Sequence, residues 1–501
     1  MKNTTKFPVA IYQTESSNAD PQRQDSKDCD CSGGDCACSL PNVSSLRILD
    51  DKNAEVQYKL SPESNSIIIN DRFAIFYGPY QRPTVLNGPS NILRSCFEIP
   101  AKINDIYPFY KDSWGEDLFN SSIMALLNSR TVIDASAEPK LVENSDILTA
   151  WLHITDRCNL RCDYCYLPHR REDMTMDIGR TAVDATFRSA KIHGYPRVKL
   201  KYAGGEALIR FSFVEELHNY AMEKSKTQSI ALNGLILSNG TLITSEIAKK
   251  IKSMNLSLMI SLDGIGEKHD VQRHFEHGKP SFKLVERGIK IAKDEGISPH
   301  ISITLSSKNS DGLAELIHWI LENDLTFNIN FYRENELAFN NIDLDLDEEK
   351  IMKGILAAYK VIENNLPRRE LLSSLVDRAN LSSAHLRTCG VGNNYMVFDY
   401  KGMVSKCQMQ LHKPVARANV EDPLSLIRLD TLGIQNLSVE EKEGCKTCEW
   451  KYWCAGGCSL TTHRATGRYD VKSPNCRIYK AIYPEAVRLE GLRLLKYSGI
   501  V

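Results

Sequence analysis

From residue 148 onward, short apolar, β-branched runs alternate with longer stretches of helical period. Strand-like runs fall at 148–155, 197–203, 234–238, 256–262, 300–305 and 327–332. Between the first two, residues 176–193 place Met176, Val183, Phe187 and Ala190 on one face, and Gly194 marks the stop. Six strand–helix units predict parallel strands, an α/β class and a partial (β/α)6 barrel over 148–345. In such barrels chemistry gathers at the C-terminal ends of the strands.

The pattern differs on either side. Residues 1–44 are polar, rich in Ser, Asn, Asp and Gly, and predict a flexible tail. Residues 66–70 and 73–77 predict two strands, and amphipathic stretches near 89–96, 103–110 and 118–127 predict three helices. Two strands and three helices over 45–140 predict a winged-helix-like module. Beyond the barrel, 346–388 predicts a helical bridge with helices at 351–362 and 369–386. A cysteine-dense domain spans 389–480, and 481–501 predicts a C-terminal helix.

Distinct motifs sit at the predicted strand ends. The first strand runs into Cys158-Asn-Leu-Arg-Cys162-Asp-Tyr164-Cys165, and the second into Gly204-Gly205-Glu206. The third closes on Ser238-Asn239-Gly240 and the fourth on Ser261-Leu-Asp263-Gly264. Three thiolates on one short loop hold three irons of a [4Fe–4S] cube and leave the fourth iron open to a small molecule. Structural zinc pairs two CxxC or His couples and does not explain this triplet.

Composition narrows the chemistry. Lys+Arg of 62 against Asp+Glu of 63 gives no electrostatic case for nucleic acid or an anionic membrane. No run of about 18 apolar residues is present, so a cytoplasmic location is expected. Fifteen cysteines in such a chain point to metal or redox chemistry rather than disulfides. Four of them, Cys29, Cys31, Cys36 and Cys38, lie in the predicted tail and could bind a metal or lend a ligand to a cluster elsewhere.

The CxxxCxxC loop with Tyr164 before its last cysteine, followed in order by the other three motifs, resembles the radical S-adenosylmethionine (SAM) enzymes. The resemblance implies that Cys158, Cys162 and Cys165 bind a SAM-cleaving [4Fe–4S] cluster. It also implies that Gly204 and Gly205 let the backbone approach the methionyl amine, with Glu206 nearby as an acceptor. Ser261 and Arg273 match the positions that hold the SAM carboxylate, a task suited to the bidentate guanidinium. Asp263 and His269 are expected to hold the loop that carries Arg273.

The C-terminal cysteines extend the likeness. Cys389, Gly402-x4-Cys407, Cys445-x2-Cys448-x5-Cys454-x3-Cys458 and Cys476 are similar in spacing to the seven-cysteine SPASM signature. That resemblance implies two auxiliary [4Fe–4S] clusters, one on Cys389, Cys407 and Cys458 and one on Cys445, Cys448, Cys454 and Cys476. The first set leaves one iron without a protein thiolate, where a substrate thiolate or a tail cysteine would bind. The 45–140 module resembles the leader-peptide recognition domains fused to peptide maturases, which add a peptide strand to a sheet edge.

These likenesses imply a radical SAM/SPASM maturase acting on a ribosomally made peptide, forming a thioether or another crosslink. An external electron donor such as flavodoxin or ferredoxin is implied. Formylglycine formation in sulfatases is the nearest rival, but its Asp base falls here on Gln408, an amide that cannot take the proton. Peptide excision, epimerisation and a non-catalytic iron–sulfur scaffold are the remaining alternatives.

Overall fold

A computed structural model describes residues 7–13, 37–38, 55–141, 145–338 and 341–499. Strands β1 (Ala10–Gln13), β2 (Ala37–Cys38), β4 (Asn65–Ile68), β5 (Phe73–Gly78) and β6 (Gln81–Asn87) form one sheet in the order β2-β1-β6-β5-β4. Strands β3 (Gln57–Leu60), β7 (Ala101–Lys102) and β8 (Val132–Asp134) form a second, small sheet. Six parallel strands follow: β9 (Ile147–His153), β10 (Arg197–Ala203), β11 (Ala231–Ser238), β12 (Leu256–Ser261), β13 (His300–Leu305) and β14 (Phe327–Phe331). They lie in strict sequence order, as right-handed strand–helix repeats produce. The sheet does not close. Strand β15 (Tyr395–Phe398) adds parallel to β9, and β16 (Met403–Ser405) and β17 (Pro414–Arg417) extend it antiparallel.

Burial explains the strand sequences. In β13, Ile301, Ile303 and Leu305 are fully buried, while His300, Ser302 and Thr304 between them are only half-buried. Strands β9, β12 and β14 alternate in the same way. The apolar face packs into the main core with the helices, including Val183 and Phe187 of Met176–Ile192 and Val285 and Ile289 of Phe282–Asp294. The other face, with Trp151, Lys201, Met259, Ser302, Thr304 and Asn330, lines a central cavity of about 810 Å³. Period-2 alternation here separates core from cavity rather than core from bulk water.

Three expectations need correction. The flexible tail over 1–44 is wrong at Ala10–Gln13, which is a strand paired antiparallel to β6 and β2. Val9, Ala10, Ile11 and Tyr12 are at most 8 % exposed, a short apolar run hidden within a polar composition. Asn87 holds it, accepting from Val9 N at 3.0 Å and donating to Phe7 O at 2.7 Å. Cys29, Cys31 and Cys36 lie outside the described residues. The bridge is helical over Glu348–Asn364, but 369–386 is irregular. There Ser373, Asn380 and Ser382 bond locally, and Arg378 takes φ +53°, so side chains and backbone turn the chain away from a helix. The last helix starts at Cys476, not near 481, and runs to Tyr497 with Pro484 inside it. Proline suggests a later start because it removes one helical hydrogen bond, a cost that packing offsets here.

That helix ties the ends of the chain together. A Cβ at its Gly491 would lie 2.5 Å from Ile69 and 3.4 Å from Ile75, so the helix sits directly on the N-terminal sheet. Nearby, Tyr77 of β5 stacks on Trp450 with centroids 5.2 Å apart.

Candidate active site

The loop carrying Cys158, Cys162 and Cys165 leaves β9 and is pinned on all sides. Asn159 donates to Thr241 at 2.9 Å and accepts from Asn239 at 2.8 Å. Asp163 meets His274 at 2.9 Å and Lys308 at 2.7 Å. Burial pushes the Cys158 and Cys165 thiols up to about 12 and raises Cys162 too, so without a bound cation they stay neutral. Three such thiols on a rigid loop suit iron, which displaces their protons.

Gly204 and Gly205 face this loop, not open space. A Cβ on Gly204 would lie 2.3 Å from Thr155 O, and one on Gly205 would lie 2.3 Å from Arg157 O. Their absence lets Gly205 N reach Thr155 O at 2.7 Å and Glu206 N reach Arg157 O at 2.8 Å. The glycines thus lock the second strand end to the cysteine loop.

Glu206 is a brace between strand ends. Its carboxylate accepts from Leu208 N and Ser238 Oγ at 2.9 Å each and from Asn239 N at 2.6 Å. Burial raises its pKa against the pull of these donors. Two carboxylate oxygens hold about four lone pairs, so one acceptor position remains.

Arg273 is 7 % exposed and donates to the Tyr164 hydroxyl. Tyr164 in turn donates to Asp263 Oδ2 at 2.7 Å. Burial disfavours the guanidinium charge, but the hydrogen bond to Tyr164 and the Asp263 carboxylate more than restore it, and Arg273 stays a cation. Its Nε is buried with no partner among the described residues, so one donor remains to be satisfied. Burial and Arg273 keep His269 neutral. Its Nδ1 accepts from Asp263 N at 3.2 Å, its Nε2 meets Ser281 Oγ at 3.1 Å, and Ser281 donates to Arg273 O at 2.7 Å. Asp263 and His269 therefore set the position of Arg273. Ser261, at the end of β12, lines the central cavity together with Tyr164 and Arg273.

The C-terminal cysteines divide between two spaces. Cys389, Cys407 and Cys458 line the central cavity. Cys445, Cys448, Cys454 and Cys476 surround a separate small pocket. Sequence reading missed Arg333, whose Nε donates to Cys458 Sγ at 3.4 Å while Nη2 contacts both Asp377 oxygens at 2.7 and 3.0 Å. Burial pushes the Cys458 thiol up, but Arg333 and Arg378 overcome this and bring it to about 7. The only local signal was the place of Arg333 just beyond β14, where the other motifs also stand. Gln408 lines the cavity and accepts from the Tyr395 hydroxyl at 3.0 Å.

Residues 152–320 match the family model described as the Radical SAM superfamily. The chain is 27 % identical over 371 residues to the Fe-coproporphyrin III synthase of Methanosarcina barkeri, covering 66 % of this chain and 87 % of that protein. It is 24 % identical over 333 residues to a cysteine-type anaerobic sulfatase-maturating enzyme of Clostridium novyi, covering 61 % and 85 % respectively. Its fold is similar to that of native anSMEcpe solved with bound AdoMet and the Kp18Cys peptide. The TM-score is 0.58 at 19 % identity, covering 71 % of this chain and 100 % of that one.

Proposed function

We propose that this chain, which carries a radical SAM domain, is a maturase that modifies a ribosomally made peptide, forming a thioether or another crosslink. The observation that carries this is one cavity of about 810 Å³ bordered by Tyr164, Ser261 and Arg273 and also by Cys389, Cys407 and Cys458. A peptide in that cavity meets the SAM-side residues and the auxiliary thiols together.

In this reading Cys158, Cys162 and Cys165 would hold a [4Fe–4S] cluster, to which SAM would bind. Arg273 and Ser261 would hold the SAM carboxylate, and Glu206 has one acceptor position left for its amine. Bound there, cluster and SAM supply a carbon-centred radical strong enough to take hydrogen from an unactivated carbon. Cys389, Cys407 and Cys458 hold one auxiliary cluster, and Cys445, Cys448, Cys454 and Cys476 the other. Arg333 lies beside the first set and stabilises negative charge at Cys458. A thioether removes two hydrogens from the peptide: the radical would take one as an atom from carbon, and the thiol would lose the other as a proton, its surplus electron passing to an auxiliary cluster. Residues 45–140 serve as a leader-recognition module in this reading, and a flavodoxin or ferredoxin supplies electrons. Among the described residues no helix is long and apolar enough to cross a membrane.

Formylglycine formation is the weaker alternative, because Gln408 at the cavity wall is an amide already bonded to Tyr395. The test is anaerobic incubation of the iron-loaded protein with SAM, dithionite and precursor peptides encoded beside its gene. Release of 5′-deoxyadenosine together with a peptide about two mass units lighter per crosslink is expected. Release with every peptide unaltered, or a tetrapyrrole altered instead, removes the maturase reading.

A further inference from the structure

The central cavity is lined by cationic side chains from several elements. Lys201, Arg273, Arg333 and Arg378 line it, and no Asp or Glu does among the described residues. Arg273 is balanced through Tyr164 and Asp263, and Arg333 by Asp377. Arg378 acts on the thiols of Cys389, Cys407 and Cys458, and Lys201 lies within electrostatic reach of Cys389, but neither cation has a hydrogen-bond or ion-pair partner among the described residues. Lys201 Nζ lies 6.0 Å from the centroid of the Tyr395 ring. Trp151, its register partner on β9, has a buried indole N–H that is also unpartnered.

Three features make this more than a loose surface lysine. Lys201 sits mid-strand on β10 between the fully buried Leu200 and Tyr202, so its backbone is fixed. Burial, Lys199 and Arg378 push its ammonium down to about 8, outweighing the opposite pull of Cys389. Arg378 is held at φ +53°, a strained setting that tertiary packing must maintain. Buried donors without acceptors are costly, and a ligand that supplies the acceptor recovers that cost.

We propose that Trp151, Lys201, Arg378 and Tyr395 form a subsite for a carboxylate, which takes an acidic side chain of the peptide near its modified residue. The carboxylate accepts from Lys201 Nζ, the Arg378 guanidinium and the Trp151 indole. This deepens the maturase reading and rests on it, but the two fail separately. SAM cleavage to 5′-deoxyadenosine tests the first, and ligand selectivity tests the second.

The experiment uses the iron-loaded protein with SAM bound and three probes: N-acetyl-glutamate amide, N-acetyl-glutamine amide and N-acetyl-alanine with a free carboxylate. Saturation-transfer NMR titrations should show the glutamate probe binding at least about tenfold tighter than the glutamine probe, with affinity falling as salt rises. Lys201→Met with Arg378→Gln should erase the preference, and Lys201→Arg should keep it. If the double variant does not fold, the probe comparison and salt dependence in the parent protein still decide. Equal binding of the two amides overturns the subsite. A preference for the free-terminus probe alone overturns the side-chain assignment. A shifted auxiliary-cluster signal in Arg378→Gln with selectivity intact shows that the cations serve the cluster, and overturns the proposal as well.

Discussion

The Arg333 guanidinium donates to the Cys458 sulfur at 3.4 Å and clasps both oxygens of Asp377, which is 1 % exposed. Replacing Arg333 with Met removes the counter-charge of a carboxylate that cannot reach water. We expect a loss of about 3–5 kcal/mol in stability, the usual cost of breaking a buried pair. Asp377→Asn with Arg333→Met should recover much of it, because no charge is then stranded. Urea unfolding of the two variants checks this; equal destabilisation by both would mean the pair is not the cause.

Cys158, Cys162 and Cys165 together should account for SAM cleavage. Changing all three to Ala should abolish 5′-deoxyadenosine formation and remove about four irons per chain, the content of one cube. Iron assay and product chromatography read both effects, and a triple variant that still cleaves SAM contradicts the assignment.

Arg273→Lys should weaken SAM binding by about 1.5–3 kcal/mol, the scale of a hydrogen bond to a charged group. Tyr164→Phe should act in the same direction but less, because Arg273 then loses the hydroxyl that links it to Asp263. Calorimetric titration with SAM separates the two, and unchanged affinity in Arg273→Lys removes Arg273 from the site.

Asn87 caps the helix Gly88–Ser95 through Ser90 N and also holds the backbone of Val9 and Phe7. Asn87→Ala should therefore cost about 1–3 kcal/mol, a lost cap plus lost buried hydrogen bonds. Hydrogen exchange at Ala10–Gln13 should rise more than in the barrel strands. Uniform exchange across the protein would contradict a local role.

Glu370 offers a pH test that involves none of the cysteine sites, its neighbours being Glu490, Ser373 and Arg493. Burial and the nearby Glu490 push its carboxyl up from 4.5 to about 7. Because the folded value lies above the unfolded one, its contribution is full below pH 4.5 and is lost as pH rises through 7. By linkage this is at most about 3 kcal/mol, and less for a side chain with some solvent contact. Glu370→Gln should flatten that part of the stability profile, as parallel urea melts from pH 5 to 8 would show.

The barrel was readable because its strands are short apolar runs with motifs at their ends. The observed β10 and β13 have the predicted bounds 197–203 and 300–305. What stayed hidden depended on distance along the chain. Arg333 and Asp377 are 44 residues apart, and no local pattern joins them. The strand Ala10–Gln13 gains its apolar neighbours only by pairing with Gln81–Asn87. The glycines of Gly204-Gly205 were visible, but their reason was not: the carbonyls they approach, Thr155 and Arg157, belong to another strand end. Lys201 did leave a trace, since Arg197, Lys199 and Lys201 are alternate charged positions among the apolar residues of the strand.

The N-terminal sheet is completed by chain made much later. Strand Ala10–Gln13 must wait for Gln81–Asn87, roughly 4–14 s at about 5–20 residues per second of synthesis. The helix Cys476–Tyr497 that covers the sheet through Gly491 follows nearly 400 residues after that. At the same pace this is roughly 20–80 s during which Ile69 and Ile75 lack that cover. The growing chain thus carries this apolar sheet face without its final cover through most of translation.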